Sequence, residues 1–291
     1  MQSEDTLILY KYLPPSRIDV LKHRKIRFTQ PGDFNDPFEF RPQIAKAADE
    51  KFTRNYVANN LERIVDDELS KYGSLVDPAS MKILKAAFMV QKDRLPALFD
   101  LLQPSMINFT SRFIDNMLNR TVGVLCLSEI CTSLLMWGHY TDNHRGFVIG
   151  FDSENSFFSK KKTESDEFGF LRQVIYQLQR PVVVLSDTSS PAWFHTKCKE
   201  WAYEKEWRIA RVLKEADAQI EVEPFSVCLF EFPNDSVVEV ILGLRASSST
   251  IQEIKSLIPY FPRASFLQAK ESSTDYKLVI EKAANVNSVG R

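Results

Sequence analysis

Residues 136–147, MWGHYTDNHRGF, crowd two histidines, a tryptophan, a tyrosine, an arginine and an asparagine into one short stretch. If 134–140 is helical, Met136 and Tyr140 share a face at a spacing of four, while Trp137 and His139 point elsewhere. One reading makes this a binding corner built from Trp137, His139, Tyr140, His144 and Arg145. The other makes Trp137 and Tyr140 core aromatics, with His144 and Arg145 as solvated turn residues. A second polar-aromatic stretch, EWAYEKEWR, occupies 200–208. In a strand, Glu204 and Glu206 face the same way, with Lys205 and Trp207 opposite, because side chains alternate. Paired carboxylates can position or activate a hydroxyl, and their proximity raises one of the two pKa values. The structural alternative is a strand edge in which Arg208 or Lys199 holds Glu204 or Glu206.

A third cluster joins Tyr10 and Lys11, at the end of the first strand, to Asn35, Asp36 and Glu39 of the NDPFE segment. Asn35 before Asp36-Pro37 is also a turn-forming arrangement, since the residue before proline avoids the helical region. Asp36, Glu39, Glu204 and Glu206 would be enough carboxylates for a two-metal phosphoesterase if they converged. Other chemistries find less to work with. No GxSxG elbow supports a serine hydrolase, leaving only Ser128 with His139 or His144 as a formal pairing. Walker and Rossmann phosphate loops are absent, and nine glycines leave little to build them from. Cys126, Cys131, Cys198 and Cys228 form no CxxC pair. Cys126 and Cys228 lie in apolar runs, as buried reduced thiols do. His195 and Cys198 alone do not make a zinc site.

The elements that must carry these residues can be read from pattern. Apolar text at 7–12 and 26–29 marks two strands around a short helix that Ser16 can cap. The segment 30–40 holds turn formers with three phenylalanines, so it is expected to fold back onto the core. Three helical stretches follow near 44–72, 78–101 and 105–119, punctuated by Gly73 and the PSM at 104–106. They read as a helical insertion at 44–120. Strands are then expected at 122–128, 146–152, 170–178, 182–185, 205–213, 226–232, 236–244, 264–270 and 276–282. Helices are expected at 190–203 and 249–258. Strands on short turns with grouped helices imply an α+β fold, its sheet mixed or mostly antiparallel. The expectation is one domain over 1–286 and a frayed tail at 287–291.

Composition narrows the function classes. The chain is 44% hydrophobic and 26% charged, which is ordinary for a globular protein. Its 37 Lys+Arg against 38 Asp+Glu leave a formal charge of −1, so general nucleic-acid coating is not expected. No signal-peptide pattern opens the chain, and no apolar run nears the ~20 residues of a membrane helix. The reading is a cytoplasmic protein with reduced thiols and no membrane partner.

Several spaced phrases resemble the bacterial domain of unknown function 2971 (DUF2971) family. They are IRFTQPGDFNDPFEF, CLSE, MWGHYTDNHRGFVIGFD, W-x-YEKEWR and VVEVILGLR. That family implies no reaction. The order of parts is also similar to ADP-ribosyltransferases: Tyr10 on the first strand, IDVLKHRKI leading to the second, Ser128 ending a later strand, Tyr140 on a helix and Glu206 opening a far strand. The triplet Tyr10–Tyr140–Glu206 resembles the His–Tyr–Glu of the poly-ADP-ribose polymerase branch, with Tyr in place of the first His.

This second resemblance implies a split sheet and NAD as substrate, without a tightly bound metal. Glu206 would hold the ribose 2′-hydroxyl and Tyr140 would stack on nicotinamide. Glu204 would orient the acceptor, Tyr10 would contact ribose or amide, and Lys11 or Arg145 would meet the pyrophosphate. Ser128, Trp137, His139 and His144 would complete the NAD-binding set, and Asn35, Asp36, Glu39 and Arg208 the rest of the pocket. The expectation is ADP-ribose transfer to a macromolecule or NAD glycohydrolysis, in a setting such as a toxin or anti-phage defence. The alternatives are a metal-dependent nuclease or phosphoesterase, or a non-catalytic nucleotide-sensing module.

Overall fold

A computed structural model describes residues 6–73, 75–164, 166–187 and 192–283. In chain order these form β1 (Ile8–Leu13), α1 (Asp19–His23), β2 (Lys25–Phe28), β3 (Gln43–Lys46), α2 (Glu50–Ser70), α3 (Pro78–Val90) and α4 (Leu95–Thr121). Then come β4 (Val122–Ser128), α5 (Leu134–Tyr140), β5 (Phe147–Asp152), β6 (Arg172–Gln173), β7 (Ile175–Gln177), β8 (Val182–Val184), β9 (Thr196–Cys198) and β10 (Glu206–Val212). The remainder is β11 (Ala218–Ile220), β12 (Val227–Glu231), β13 (Val237–Leu242), α6 (Ser248–Leu257), β14 (Ser265–Glu271) and β15 (Leu278–Lys282).

The chain forms two compact units. One comprises 41–116 and 180–193, which takes in α2, α3, most of α4 and the β3–β8 pair. Side-chain caps start its helices: Asp49 accepts from the N–H of Phe52, and Asp77 from those of Ala79 and Ser80. Pro104 does not separate two helices as its sequence neighbourhood suggests. It lies inside α4, which runs on through the expected break. Residues 43–46 form a strand and not the first turn of a helix, because β8 pairs with them in parallel. The expected tail at 287–291 lies outside the described residues.

The other unit, 1–40, 117–179 and 194–291, holds the sheet and the candidate site. Eight strands run in the order β15-β14-β13-β5-β1-β4-β10-β6. β13 and β14 are parallel, and the other neighbours are antiparallel, so the sheet is mixed and the fold α+β. β5 is buried at all six positions, as a central strand covered on both faces must be. Leu9 and Leu13 enter one core cluster with Phe28, Phe151 and Phe232, whereas Tyr10 and Tyr12 go to another around Trp137 and Met136. That division follows from strand alternation.

The sheet parts between β1 and β4. β1 meets β5 over six register pairs and β4 meets β10 over seven, but β1 meets β4 only at Tyr10↔Ser128 among the described residues. Further along the same edge of β4, Val124 exchanges backbone hydrogen bonds with Thr29, just past β2. Between these two contacts the Cys126 carbonyl lacks a ladder partner, and the Lys11 ammonium donates to it at 3.1 Å. Residue pairing then lines up one row across five strands: Glu239, Gly150, Tyr10, Ser128 and Glu206.

Candidate functional site

The row places Tyr10, Ser128 and Glu206 side by side at the mouth of the split. A pocket of about 120 Å³ opens there, bordered by Tyr10, Lys11, Tyr140, Lys197, Glu204 and Glu206. Tyr12, Phe34, Asn35, Cys126, Leu127, Ser128 and Met136 complete its walls. All of these belong to the unit that carries the sheet.

Each charged group arrives by a different local device. Glu204 ends a two-turn 3-10 helix, Lys199–Glu204, and Lys205 takes a left-handed conformation (φ 41°) before β10 begins at Glu206. The two carboxylates therefore converge through this turn and not through strand alternation. Residues 190–203 are not one helix; among those described, β9 interrupts two 3-10 segments and pairs with β7. That strand delivers a residue to which sequence reasoning gave no role. Lys197 Nζ lies 2.7 Å from Glu204 Oε2 and 2.8 Å from Glu206 Oε2. A lone lysine in a KCKEW phrase carries no signal of its own; a wider reading of the parallel β7–β9 pair would have been needed to find it.

Behind this triad, Arg208 is fully buried. Its Nε donates to Glu206 Oε1 at 2.5 Å, another nitrogen pairs with Glu39, and Nη1 donates to the Phe194 carbonyl at 3.1 Å. Its guanidinium also sits 4.8 Å from the Phe40 ring centroid. Glu39 comes from the 30–40 segment, which folds back as expected through buried Phe40 and half-buried Phe34; Phe38 stays 61% exposed. Asp36 is buried too, but its carboxylate accepts from the Phe38 N–H and forms the turn. Three carboxylates, Glu39, Glu204 and Glu206, thus share two cations, Lys197 and Arg208.

The pocket face of this network is polar and aromatic. Tyr140 donates its hydroxyl to Glu204 Oε1 at 2.6 Å and accepts from Asn35 Nδ2 at 3.3 Å. Burial, then the Glu204 charge, holds the Tyr140 phenol above its ordinary pKa, so it stays a donor. Burial also pushes Glu206 up, and Lys197 pulls it back. For Lys197 burial works against the charge, but Glu206 and Glu204 outweigh it and raise the ammonium above its usual range. Ser128 is spent on architecture: its Oγ donates to the Glu204 carbonyl at 2.5 Å and accepts from the Ile130 N–H. Tyr176 accepts the Glu206 N–H at 2.8 Å and fixes the start of β10.

Several residues read from sequence as ligand contacts lie elsewhere. Trp137 is fully buried; its indole donates to the Cys131 carbonyl, and its edge meets Tyr12. The core claims it because α5 packs on β1 through that face. His144 stacks on Trp137 outside the pocket, in a run of left-handed residues from Asp142 to His144. His139 is exposed, its ring edge-on to Tyr140. Arg145 is exposed and pairs with Asp142. Lys199 takes no part in the carboxylate network; Lys197 fills that place. Among the described residues no group of three or more His, Cys, Asp or Glu is arranged to hold a metal ion. No described helix is long and apolar enough to cross a membrane.

Residues 136–209 match the model of DUF2971, a family described as a protein of unknown function. The resemblance to that family is shown over this stretch, which runs from α5 to the first half of β10 and includes Tyr140, Lys197, Glu204, Glu206 and Arg208. No curated protein and no solved structure matches the chain.

Proposed function

We propose that this protein is an NAD-using enzyme of ADP-ribosyltransferase type, cleaving the nicotinamide–ribose bond and passing ADP-ribose to a macromolecule or to water. The observation that carries the reading is the row Tyr10–Ser128–Glu206 at the split of the sheet, with Tyr140 and Glu204 closing the same pocket. The chain order of the elements that carry Tyr10, Ser128, Tyr140 and Glu206 supports the reading by its likeness to that of ADP-ribosyltransferases. Scission of an N-glycosidic bond develops positive charge on the ribose. Three buried carboxylates sharing Lys197 and Arg208 set a carboxylate-rich field beside the pocket, fixed in place before the reaction starts. The Glu204–Glu206 pair supplies that field, with Glu206 oriented by Lys197 and Arg208. The Tyr140 ring offers a face to the cationic nicotinamide, and its hydroxyl orients Glu204.

The metal-dependent phosphoesterase reading has less support. Lys197 Nζ occupies the point at which Glu39, Glu204 and Glu206 converge, where a divalent cation would have to sit. A sensing module would use the same pocket without turnover. Incubation of the protein with NAD separates the three. Release of nicotinamide that Glu206→Gln abolishes is the expected result. Binding of NAD without release favours the module, and metal-dependent nicking of nucleic acid without release favours the phosphoesterase; either outcome sinks the proposal.

A further inference from the structure

The pocket is ring-sized and carries opposite charges on two sides. A dry cavity of about 150 Å³ admits benzene. The space of about 120 Å³ between Tyr10, Tyr12, Phe34, Met136 and Tyr140 is somewhat smaller but open to solvent, so one flat ring can enter with part of it outside. On the β10 side lies the carboxylate network of Glu204 and Glu206. Lys11 borders the pocket from the β1 side, and its ammonium makes one hydrogen bond, to the neutral Cys126 carbonyl. No carboxylate lies within ion-pair distance of it among the described residues. Burial depresses its pKa, while the Cys126, Glu206 and Glu204 side chains act in the opposite direction. An ammonium can donate three hydrogen bonds, so two remain. A partly buried ammonium with no carboxylate in direct contact is incompletely solvated, and an incoming anion relieves that cost.

We propose that Lys11 is the anion receptor of this pocket and that its ligand is a flat ring bearing a carboxylate, a pyridine carboxylate in preference to the carboxamide. The inference rests on the reading of the pocket as the chamber for the pyridine end of a dinucleotide. A pyridinium carboxylate, as the ring is when its nitrogen is bonded to ribose, matches both sides at once, with ring cation toward Glu204 and Glu206 and carboxylate toward Lys11. Free nicotinate and benzoate, whose rings are neutral, report the Lys11 side. A carboxamide offers Lys11 only a carbonyl oxygen, and a charged acceptor adds about 1–2 kcal/mol over a neutral one.

Calorimetric titration of the full chain with nicotinate, nicotinamide, benzoate and inorganic phosphate tests this. Nicotinate and benzoate are expected to bind about tenfold or more tighter than nicotinamide, by that same difference. Lys11→Gln keeps a donor for the Cys126 carbonyl and removes the charge, so the acid preference should vanish while nicotinamide binding persists. Equal binding of acid and amide by the unaltered protein overturns the proposal, as does a preference that survives Lys11→Gln. Phosphate displacing the ring acids at equal concentration would assign the charge to a generic anion and overturn the ring. The first comparison needs no variant and stands even if Lys11→Gln fails to fold. Acid binding without NAD cleavage would sink the enzymatic reading alone; cleavage without acid preference would sink this inference alone.

Discussion

Lys197 and Glu206 stand nine residues apart in sequence and 2.8 Å apart in space, both almost wholly buried. The 3-10 segment Lys199–Glu204 and the left-handed Lys205 fold the chain back between them. Because the same ammonium also bridges Glu204, removing it takes the cation from Glu204, which keeps only the Tyr140 hydroxyl, and leaves Glu206 to Arg208 alone.

Lys197→Met is therefore expected to cost about 3–5 kcal/mol, the range for leaving a buried charge without its partner. Urea unfolding measures it. Adding Glu206→Gln to that variant should restore part of the loss, with a coupling of about 0.5–3 kcal/mol. A loss under about 1 kcal/mol, or strict additivity, would mean that Lys197 does not neutralise the pair.

Tyr140 separates a ring from a hydroxyl. Tyr140→Phe keeps the face on the pocket and removes the donor to Glu204 Oε1, so folding stability should fall by about 1 kcal/mol. In NAD turnover its KM should hold while kcat falls, since Glu204 loses its orientation. Tyr140→Ala removes the ring as well and should raise KM about tenfold, the scale of one desolvated cation–π contact. Steady-state kinetics on both variants decides; an equal effect on KM from Phe and Ala would remove the stacking role.

Much of the fold was legible because its strands are long and patterned. Residues 122–128 form β4 over the same seven residues that their apolar run marks, and β5, β10, β12 and β13 fall within the runs expected for them. Short pieces were illegible for a physical reason: β3, β9 and β11 have three or four residues and carry no period, and β3 and β9 are held by partners elsewhere in the chain, β11 only by the neighbouring β12. The 170–178 run divides into β6 and β7, which belong to different sheets. Tyr10, Ser128, Tyr140, Glu204 and Glu206 could be found from residue type and element order. Lys197 could not, since its role depends on tertiary pairing alone. Trp137 and His144 misled because composition records density and not direction.

Gly150 sits in the row between Glu239 and Tyr10. A Cβ there would stand 2.9 Å from the Glu239 Cβ and 3.1 Å from Tyr10 Cε1. Gly150→Ala should cost about 1–3 kcal/mol, as overpacking in a well-filled core does. It should also push the Tyr10 ring toward the pocket and weaken ligand binding. Unfolding and titration on one sample test both, and unchanged stability would show that the row has slack.

His195 gives the clearest pH dependence. It is 3% exposed, both ring nitrogens lack a hydrogen-bond partner, and Phe168 and Phe194 pack beside it. Burial, with a smaller push from Arg172, lowers its pKa to about 4 from 6.5. Between those values the unfolded chain binds a proton that the folded chain refuses. Stability from this group is complete above pH 6.5 and is lost as pH falls toward 4. The loss should be about 2 kcal/mol after allowance for solvent screening. His195→Phe removes the proton site and fits the aromatic surroundings, so its unfolding free energy should fall less steeply over that window. Comparing the two proteins at pH 7 and pH 4.5 isolates the histidine from the carboxylates that both share. Parallel losses would mean that His195 takes up its proton in the folded state as readily as in the unfolded one.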